Sequence, residues 1–207
     1  MLKTKIAVFV SGGGTNLQAL IDAQKAGIIE SGELALVIAN NAGAYAIQRA
    51  KDNGIPYEII LKKECGSQEA FEDKIKQTLA CYDIDMIVLA GFMSILSESF
   101  TSAYPKRILN VHPSLIPSFC GKGFYGLKVH EAALAYGVKV TGATVHYVNE
   151  IPDGGEIILQ KAVNIRENDT AESLQKRVMR LAEWKILPKA TEIVAKRLAD
   201  ERDAKND

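Results

Sequence analysis

Three polar side chains have the types and the spacing to catalyse acyl transfer: Asn110, His112 and Asp153. Asn110 and His112 are two residues apart at the end of an apolar stretch typical of a strand, so both point to the same side. Asp153 lies in a turn where it could reach the same end of a sheet. A nearby carboxylate favours the imidazolium form of a histidine. This cation and an asparagine N–H can stabilise an oxyanion on a carbonyl carbon, and the histidine can protonate a leaving nitrogen.

Each member of this trio also has a plainer interpretation. A single histidine after a strand commonly serves packing, and an aspartate in Pro-Asp-Gly-Gly is ordinary turn chemistry. Ser114 and Cys120 lie nearby, but a nucleophilic triad would need a base beside one of them. A metal site of this histidine, Asp153 and a third ligand has no supporting ligand spacing, so we predict no metal. His130, on a predicted helix, and His146, within a predicted strand, could be structural.

A glycine-rich loop, VSGGGTNLQA at residues 10–19, separates the first predicted strand from the first predicted helix. Glycines let the backbone approach a ligand closely, and the free N–H groups at a helix start attract an anion. A dinucleotide fingerprint is incomplete, because its third glycine is Leu17 and the second strand ends in Asn40 and Asn41 instead of an acid. The Gly-Lys at 121–122 is followed by glycine, so a Walker loop also fails. The loop therefore favours a monophosphate, with a plain turn as the alternative.

Apolar runs alternate with helical patterns along most of the chain, which indicates a parallel sheet covered by helices on both faces. Two later strands joined by Pro-Asp-Gly-Gly predict an antiparallel hairpin toward the C-terminal part. We predict strands at 5–10, 34–40, 56–61, 85–92, 107–111, 138–148 and 155–163, and helices at 15–27, 44–53 and 67–82. A last helix should begin at Asp169, with Glu172 as its cap partner, and Pro188 should kink or restart it. Thr15 and Gln18 form a candidate capping box, and the tail 199–207 should be frayed.

Length, charge and cysteine content limit which classes of protein are possible. The 207 residues, 47% of them hydrophobic, suit one large domain or at most two small ones. We predict a single α/β domain over 1–207, with a phosphate-binding half at about 1–100 and a catalytic half at about 101–200. The charges cancel, 25 basic against 25 acidic, which argues against nucleic acid as the main partner. No apolar run is long enough for a membrane span, and the N-terminus lacks a signal-peptide pattern. Three widely spaced cysteines favour reduced thiols in the cytoplasm.

Four stretches resemble the phosphoribosylglycinamide formyltransferases, members of the folate-dependent formyltransferase family. They are SGGGTNLQA at 11–19, LAGFMSIL at 89–96, NVHPSLIPSFCG at 110–121 and GATVHYVNEIPDGGEIILQ at 142–160. They occur in the family's order over nearly the whole chain, and the Asn-x-His-Pro-Ser and Asp-Gly-Gly motifs are highly specific. The resemblance implies transfer of a formyl group from 10-formyltetrahydrofolate, as co-substrate, to the amine of glycinamide ribonucleotide in purine biosynthesis. It implies small-molecule partners only, and a monomer or homodimer.

The same resemblance assigns roles to individual residues. Asn110, His112 and Asp153 would be catalytic, with His112 the proton donor and direct attack by the amine. Thr144 would assist Asp153 through water. The phosphate would be held by the backbone at Gly14, Thr15 and Asn16, and the rest of that substrate by Arg180 and Glu183. The folate would be held by Gln68, Met93, Ser94, Ile95, Leu96, Asn110, Asn149, Glu150, Ile151 and Pro152.

Three positions depart from the family's pattern. Ser94 stands where many members carry arginine, and Gln68 where an arginine able to meet the folate's glutamate tail is often found. Both changes remove positive charge from the folate side, so they affect how the tail is held and leave the reaction itself unaltered. Pro152 replaces an apolar residue before Asp153 and would stiffen the pterin loop.

Three other functions compete with this interpretation. A methionyl-tRNA formyltransferase shares the same polar core but would add a C-terminal RNA-binding domain, where this chain offers about 30 helical residues. A formyltetrahydrofolate hydrolase would usually add an N-terminal regulatory domain. A non-catalytic nucleotide-binding module would explain the glycine loop but would leave Asn110, His112 and Asp153 without a role.

Overall fold

The computed structural model describes residues 2–206, and its centre is one sheet of seven strands in the order β3-β2-β1-β4-β5-β6-β7. Neighbouring strands from β3 to β5 pair in parallel, whereas β6 pairs antiparallel with both β5 and β7. The strands are β1 (Thr4–Val10), β2 (Gly32–Ala39), β3 (Tyr57–Ile59), β4 (Met86–Leu89), β5 (Ile108–His112), β6 (Val140–Tyr147) and β7 (Ile157–Asn164). The predicted α/β class and the C-terminal antiparallel hairpin are thereby confirmed.

Helices cover both faces of this sheet. One core lies between the sheet and helices that include α1, α2, α7 and α8, and the other lies between the opposite face and α4 and α5. This arrangement explains the unbroken apolar strands, because residues 6–10 of β1 and every residue of β4 belong to one core or the other. The helices are α1 (Thr15–Lys25), α2 (Tyr45–Asp52), α3 (Lys62–Cys65), α4 (Gln68–Cys81), α5 (Glu98–Ala103), α6 (Leu127–Tyr136), α7 (Ala171–Val178) and α8 (Trp184–Asn206), with a π-helical segment (Met179–Glu183) before α8.

The start of α1 differs from the expected capping box. Gly14 is the N-cap residue in a left-handed conformation with φ of 69°, and no side chain caps the helix. Thr15 is already the first helical residue, so its hydroxyl is not placed to act as a cap. The prediction of a Thr15–Gln18 capping box was wrong, and the first N–H groups of α1 remain available for an anion.

The start of α7 also differs by one residue from the prediction. The N-cap is Thr170, which forms a capping box with Ser173, each side chain accepting a hydrogen bond from the other's backbone N–H. Asp169, the expected cap, instead binds the guanidinium of Arg177. Glu172 is therefore not the cap partner, because Asp169 pairs with Arg177 about two helical turns further on and Thr170 caps the helix with Ser173.

The C-terminal helix is continuous through Pro188. A proline cannot donate to the carbonyl four residues before it, and its ring crowds that carbonyl. Here that carbonyl belongs to Trp184, where the π-helical segment ends and α8 begins. The restart therefore lies upstream of Pro188 rather than at it. The tail expected to fray is helical as far as Asn206, and only Asp207 of that prediction lies outside the described residues.

No helix among residues 2–206 is both long enough and apolar enough to cross a membrane.

Candidate active site

The end of β5 and the turn between β6 and β7 bring Asn110, His112 and Asp153 together. The Nδ1 atom of His112 is 3.4 Å from Oδ2 of Asp153, and Nδ2 of Asn110 is 3.4 Å from its Oδ1. The two β5 residues reach the same carboxylate because their side chains leave the strand on one side. The proximity predicted from the sequence is therefore observed.

The turn conformation of Asp153 and a hydrogen bond from the loop after β5 hold its carboxylate in place. Its φ is 58°, a left-handed conformation that aspartate tolerates in turns, and its Oδ2 accepts a hydrogen bond of 2.9 Å from the backbone N–H of Gly121. Burial alone would raise the pKa of Asp153. The hydrogen bond from the N–H of Gly121 and the charge of His112 outweigh burial, so the pKa lies below its ordinary value. The carboxylate is thus ionised at neutral pH.

His112 is 4% exposed, and both of its ring nitrogens face acceptors. Nδ1 faces Asp153, and Nε2 is 2.9 Å from the backbone oxygen of Phe119. Because a carboxylate and a carbonyl both accept hydrogen bonds, this arrangement suits a doubly protonated imidazolium. A substrate acceptor entering beside Nε2 would compete with the oxygen of Phe119.

The amide of Asn110 faces two acceptors that lie close to each other. Its Nδ2 is 3.2 Å from Nε2 of His146 and 3.4 Å from Oδ1 of Asp153, and these two atoms are 3.5 Å apart. The three atoms form a nearly equilateral triangle, so the two acceptors subtend an angle far smaller than that between the two amide N–H bonds. One N–H therefore serves both acceptors, and the second has no acceptor among residues 2–206 and can bind a ligand.

Asn16 and Glu183 form a buried pair on another wall. Nδ2 of Asn16 donates a hydrogen bond of 2.9 Å to Oε2 of Glu183. Burial raises the pKa of Glu183 to about 7, although the hydrogen bond from Asn16 partly opposes this rise. The Oδ1 atom of Asn16 is buried and has no partner among the described residues. The pair therefore retains unused hydrogen-bonding capacity toward a ligand.

His130, which lies on α6, is fully buried, and neither ring nitrogen has a hydrogen-bond partner within residues 2–206. Burial lowers its pKa to about 4, and the charge of His112 adds to this effect. His130 is therefore a neutral imidazole at physiological pH.

These groups line one cavity of about 690 Å³, which we call the central cavity. Its volume falls in the range typical of small-molecule sites. A smaller cavity of about 130 Å³ adjoins it, with Asn110 and Asp153 in both linings. The smaller lining contains most of the predicted folate residues: Ser94, Ile95, Leu96, Asn110, Asn149, Glu150, Ile151 and Pro152. Met93 lines the central cavity instead.

The predicted phosphate residues are not all at the central cavity. Asn16 lines it, whereas Thr15 lines a separate groove of about 490 Å³ between α1 and α8. Gly14 is required by its positive φ and by close packing, because a Cβ there would lie 2.7 Å from Cβ of Ala46. Its conformation turns the chain into α1, whose first N–H groups have no side-chain cap.

Several predicted ligand residues are engaged within the protein or lie elsewhere. The amide nitrogen of Gln68 donates to Oε1 of Glu72 and, at 3.1 Å, to the backbone oxygen of Ile95. The hydroxyl of Ser94 accepts from Asn40 at 2.8 Å. Arg180 is exposed and is not part of the central cavity's lining.

Thr144 does not contact Asp153 directly. It donates 2.7 Å to the oxygen of Ser114 and accepts from the N–H of Ile116 and the amide of Gln160. These bonds fasten the loop after β5 to β6, which gives Thr144 a role in holding that loop.

Sequence reasoning missed part of the cavity wall. Gln175 and Met179 line the cavity with Glu183, and their spacing of four residues was a signal that they share a helix face. The contribution of Gly121 could not be read from the chain, because it acts through its backbone N–H. In the described part of the chain, no cluster of three or more His, Cys, Asp or Glu side chains could hold a metal ion.

Comparisons with known proteins identify the family that this chain resembles. The sequence profile of the formyl transferase family matches residues 4–191. The phosphoribosylglycinamide formyltransferase of Haemophilus influenzae is 42% identical over 184 residues, which cover 89% of this chain and 84% of that protein. A human trifunctional purine biosynthetic protein, adenosine-3, is 44% identical over 93% of this chain, which spans only 18% of the human protein's length.

Similar solved structures belong to the same kind of protein. The crystal structure of glycinamide ribonucleotide transformylase 1 from Symbiobacterium toebii superposes with a TM-score of 0.87, at 40% identity, over 94% of this chain and 88% of that one. The phosphoribosylglycinamide formyltransferase from Coxiella burnetii, in complex with CHES, gives a TM-score of 0.86 at 41% identity, over 94% and 88% of the two chains.

Proposed function

This chain belongs to the formyl transferase family, within which it groups with the phosphoribosylglycinamide formyltransferases, and on that premise we propose its reaction. It transfers the formyl group of 10-formyltetrahydrofolate to the amine of glycinamide ribonucleotide in purine biosynthesis. The observation that carries this proposal is the convergence of Asn110, His112 and Asp153 where two cavities meet. The central cavity suits the ribonucleotide, and the smaller cavity suits the pterin.

The phosphate of the ribonucleotide binds at the uncapped start of α1. The backbone N–H groups at Gly14, Thr15 and Asn16 supply the donors, and the helix dipole favours the negative charge. Glu183 binds the ribose, because its partner Asn16 belongs to the phosphate loop itself, and ribose hydroxyls are the substrate groups next to the phosphate. Arg180 contributes only long-range positive charge, since it is exposed and outside the lining of the central cavity.

The folate binds across the smaller cavity. Met93 is 58% exposed and Ile95 71% exposed, as expected of apolar side chains that await a ligand. Gln68 acts indirectly, since its amide ties the segment at Ile95 to α4. The segment at 149–152 closes the opposite side, where Asn149 Oδ1 accepts from the N–H of Ile151.

The reaction proceeds by direct attack. The neutral amine of the ribonucleotide adds to the formyl carbon, and the formyl oxygen becomes an oxyanion. The second N–H of Asn110 and the imidazolium of His112 stabilise this charge. His112 then donates its proton to N10 of the folate, and the C–N10 bond breaks. The amine nitrogen, now bonded to the formyl carbon, loses a proton that returns His112 to the imidazolium form. Asp153 holds His112 in orientation and stabilises its charge.

The proposal also covers assembly, location and partners. The protein acts as a monomer or homodimer in the cytoplasm on two small molecules, without metal, nucleic acid or membrane. Its 1–100 half carries the phosphate site and its 101–200 half the catalytic trio, with Glu183 reaching back to Asn16.

A spectrophotometric assay of deformylated folate tests the proposal. We expect product only when 10-formyltetrahydrofolate and glycinamide ribonucleotide are both present. His112→Ala should lose most turnover and keep the wild-type melting temperature, while Asp200→Asn, an exposed aspartate on α8, serves as control. Folate released without the ribonucleotide would show a hydrolase. Binding of the ribonucleotide without turnover would show a non-catalytic module.

A further inference from the structure

We propose that His146 is a positioning residue, held in the neutral state with its proton on Nδ1, which aligns the amide of Asn110 for catalysis. This inference rests on the proposed formyl transfer and extends it to a residue that does not itself touch the reacting atoms. His146 is 1% exposed and lies on β6 directly opposite Asn110 on β5.

The two contacts of the His146 ring define its protonation state. Nδ1 is 2.8 Å from the backbone oxygen of Tyr147, and because a carbonyl oxygen only accepts, Nδ1 carries a hydrogen. Nε2 is 3.2 Å from Nδ2 of Asn110, and because an amide nitrogen only donates, Nε2 presents its lone pair. Both contacts are satisfied together only by a neutral ring protonated at Nδ1.

A protonated ring would be the alternative, since Oδ1 of Asp153 is 3.5 Å from Nε2. A hydrogen on Nε2 would then point toward the amide hydrogens of Asn110 and would force that amide to turn over. The turned amide would place its oxygen near the Asp153 carboxylate, which repels it. The neutral ring avoids both conflicts and leaves Nδ1 of His112 as the ring nitrogen that can donate to Asp153.

The consequence for catalysis is a fixed amide. His146 and Asp153 both accept from Nδ2 of Asn110, so its oxygen is excluded from that side. The second N–H is thereby committed to one direction, as an oxyanion donor requires. The irregularity in the β6–β7 pairing between Val145 and His146 lies at the residue that carries this ring.

Two matched substitutions test this role. His146→Phe keeps a ring and removes the acceptor, and we expect kcat to fall about tenfold, the effect of one lost hydrogen bond, with KM for both substrates within about twofold. His146→Gln restores an acceptor near the position of Nε2 and should recover most of kcat. Melting temperatures of both variants separate this effect from loss of folding. An unchanged kcat in His146→Phe, or no recovery in a folded His146→Gln, would overturn the proposal.

Nitrogen NMR of the wild-type protein gives an independent readout that a purely structural role would not predict. We expect His146 at pH 7.5 to be the neutral tautomer with hydrogen on Nδ1. An imidazolium, or hydrogen on Nε2, would refute the inference even if formyl transfer were observed. If the enzyme assay failed while the tautomer was found, the proposed function would be wrong and the geometry of His146 and Asn110 would stand.

Discussion

Replacing Glu183 by glutamine should stabilise the protein at alkaline pH while weakening substrate binding. Glu183 is buried with one hydrogen-bond donor, and its pKa rises from 4.5 to about 7. The unfolded chain ionises this carboxyl above about pH 4.5, whereas the folded chain holds its proton up to about pH 7. The folded state therefore loses stability between these two pH values, and the loss is complete above pH 7.

The size of the effect follows from the same values. A rise from 4.5 to about 7, at about 1.4 kcal/mol for each pH unit, costs the folded state about 3 kcal/mol at pH 8.5. Glutamine keeps an oxygen that can accept from Asn16 and cannot ionise. Glu183→Gln should thus raise the free energy of unfolding by about that amount at pH 8.5 and by little at pH 5.

Urea unfolding of both proteins at pH 5 and pH 8.5 measures this difference, and the KM for glycinamide ribonucleotide should rise in the variant. Asp200→Asn, on an exposed face of α8, is the control for a generic change of charge. Equal stabilities of wild type and Glu183→Gln at pH 8.5, or a variant that is less stable there, would refute the reasoning that burial of the ionised carboxylate destabilises the folded state.

Three further predictions concern other parts of the molecule. Asp153→Asn should lower kcat by about 10²–10⁴-fold, the usual worth of acid–base catalysis, in steady-state assays of protein that circular dichroism shows to be folded; near-normal turnover would count against its catalytic role. Asp169→Asn should destabilise the protein by about 2 kcal/mol at pH 7, because Arg177 holds the Asp169 pKa at about 2. The difference in stability between this variant and the wild type should vanish as the pH falls from about 4 to 2. Urea unfolding curves that show the same difference at low pH as at neutral pH would contradict this prediction. Gly14→Ala should weaken phosphate-analogue binding in calorimetry and lower stability by at least about 1–2 kcal/mol, since φ is positive there and Ala46 is in the way; wild-type affinity would exclude a role for this loop.

Periodicity in the sequence predicted the strands, a mostly parallel sheet and the final hairpin, because apolar runs and helical spacing are local properties. The meeting of Asn110, His112 and Asp153 was also predictable, since strand ends and turns converge at one edge of such a sheet. The orientation of Asn110 was not, because it depends on which nitrogen of His146 carries the proton.

Helix starts were the least predictable local feature. Thr15 has the right residue type for a cap, but Gly14 turns the chain one position earlier. Asp169 equally suits a cap, but Arg177, two helical turns further on, draws it into an ion pair. In both places a tertiary or backbone requirement outweighs the side-chain preference that the sequence displays.

The pairing of β5 with β6 makes the catalytic geometry a matter of alignment between two strands. Asn110 lies opposite His146, and His112 lies opposite Thr144. An insertion of one residue within either strand would turn these side chains to the other face of the sheet. Insertions in the surrounding loops leave that alignment intact. Over evolutionary time, changes of chain length should therefore accumulate in the loops and be excluded from these two short strands.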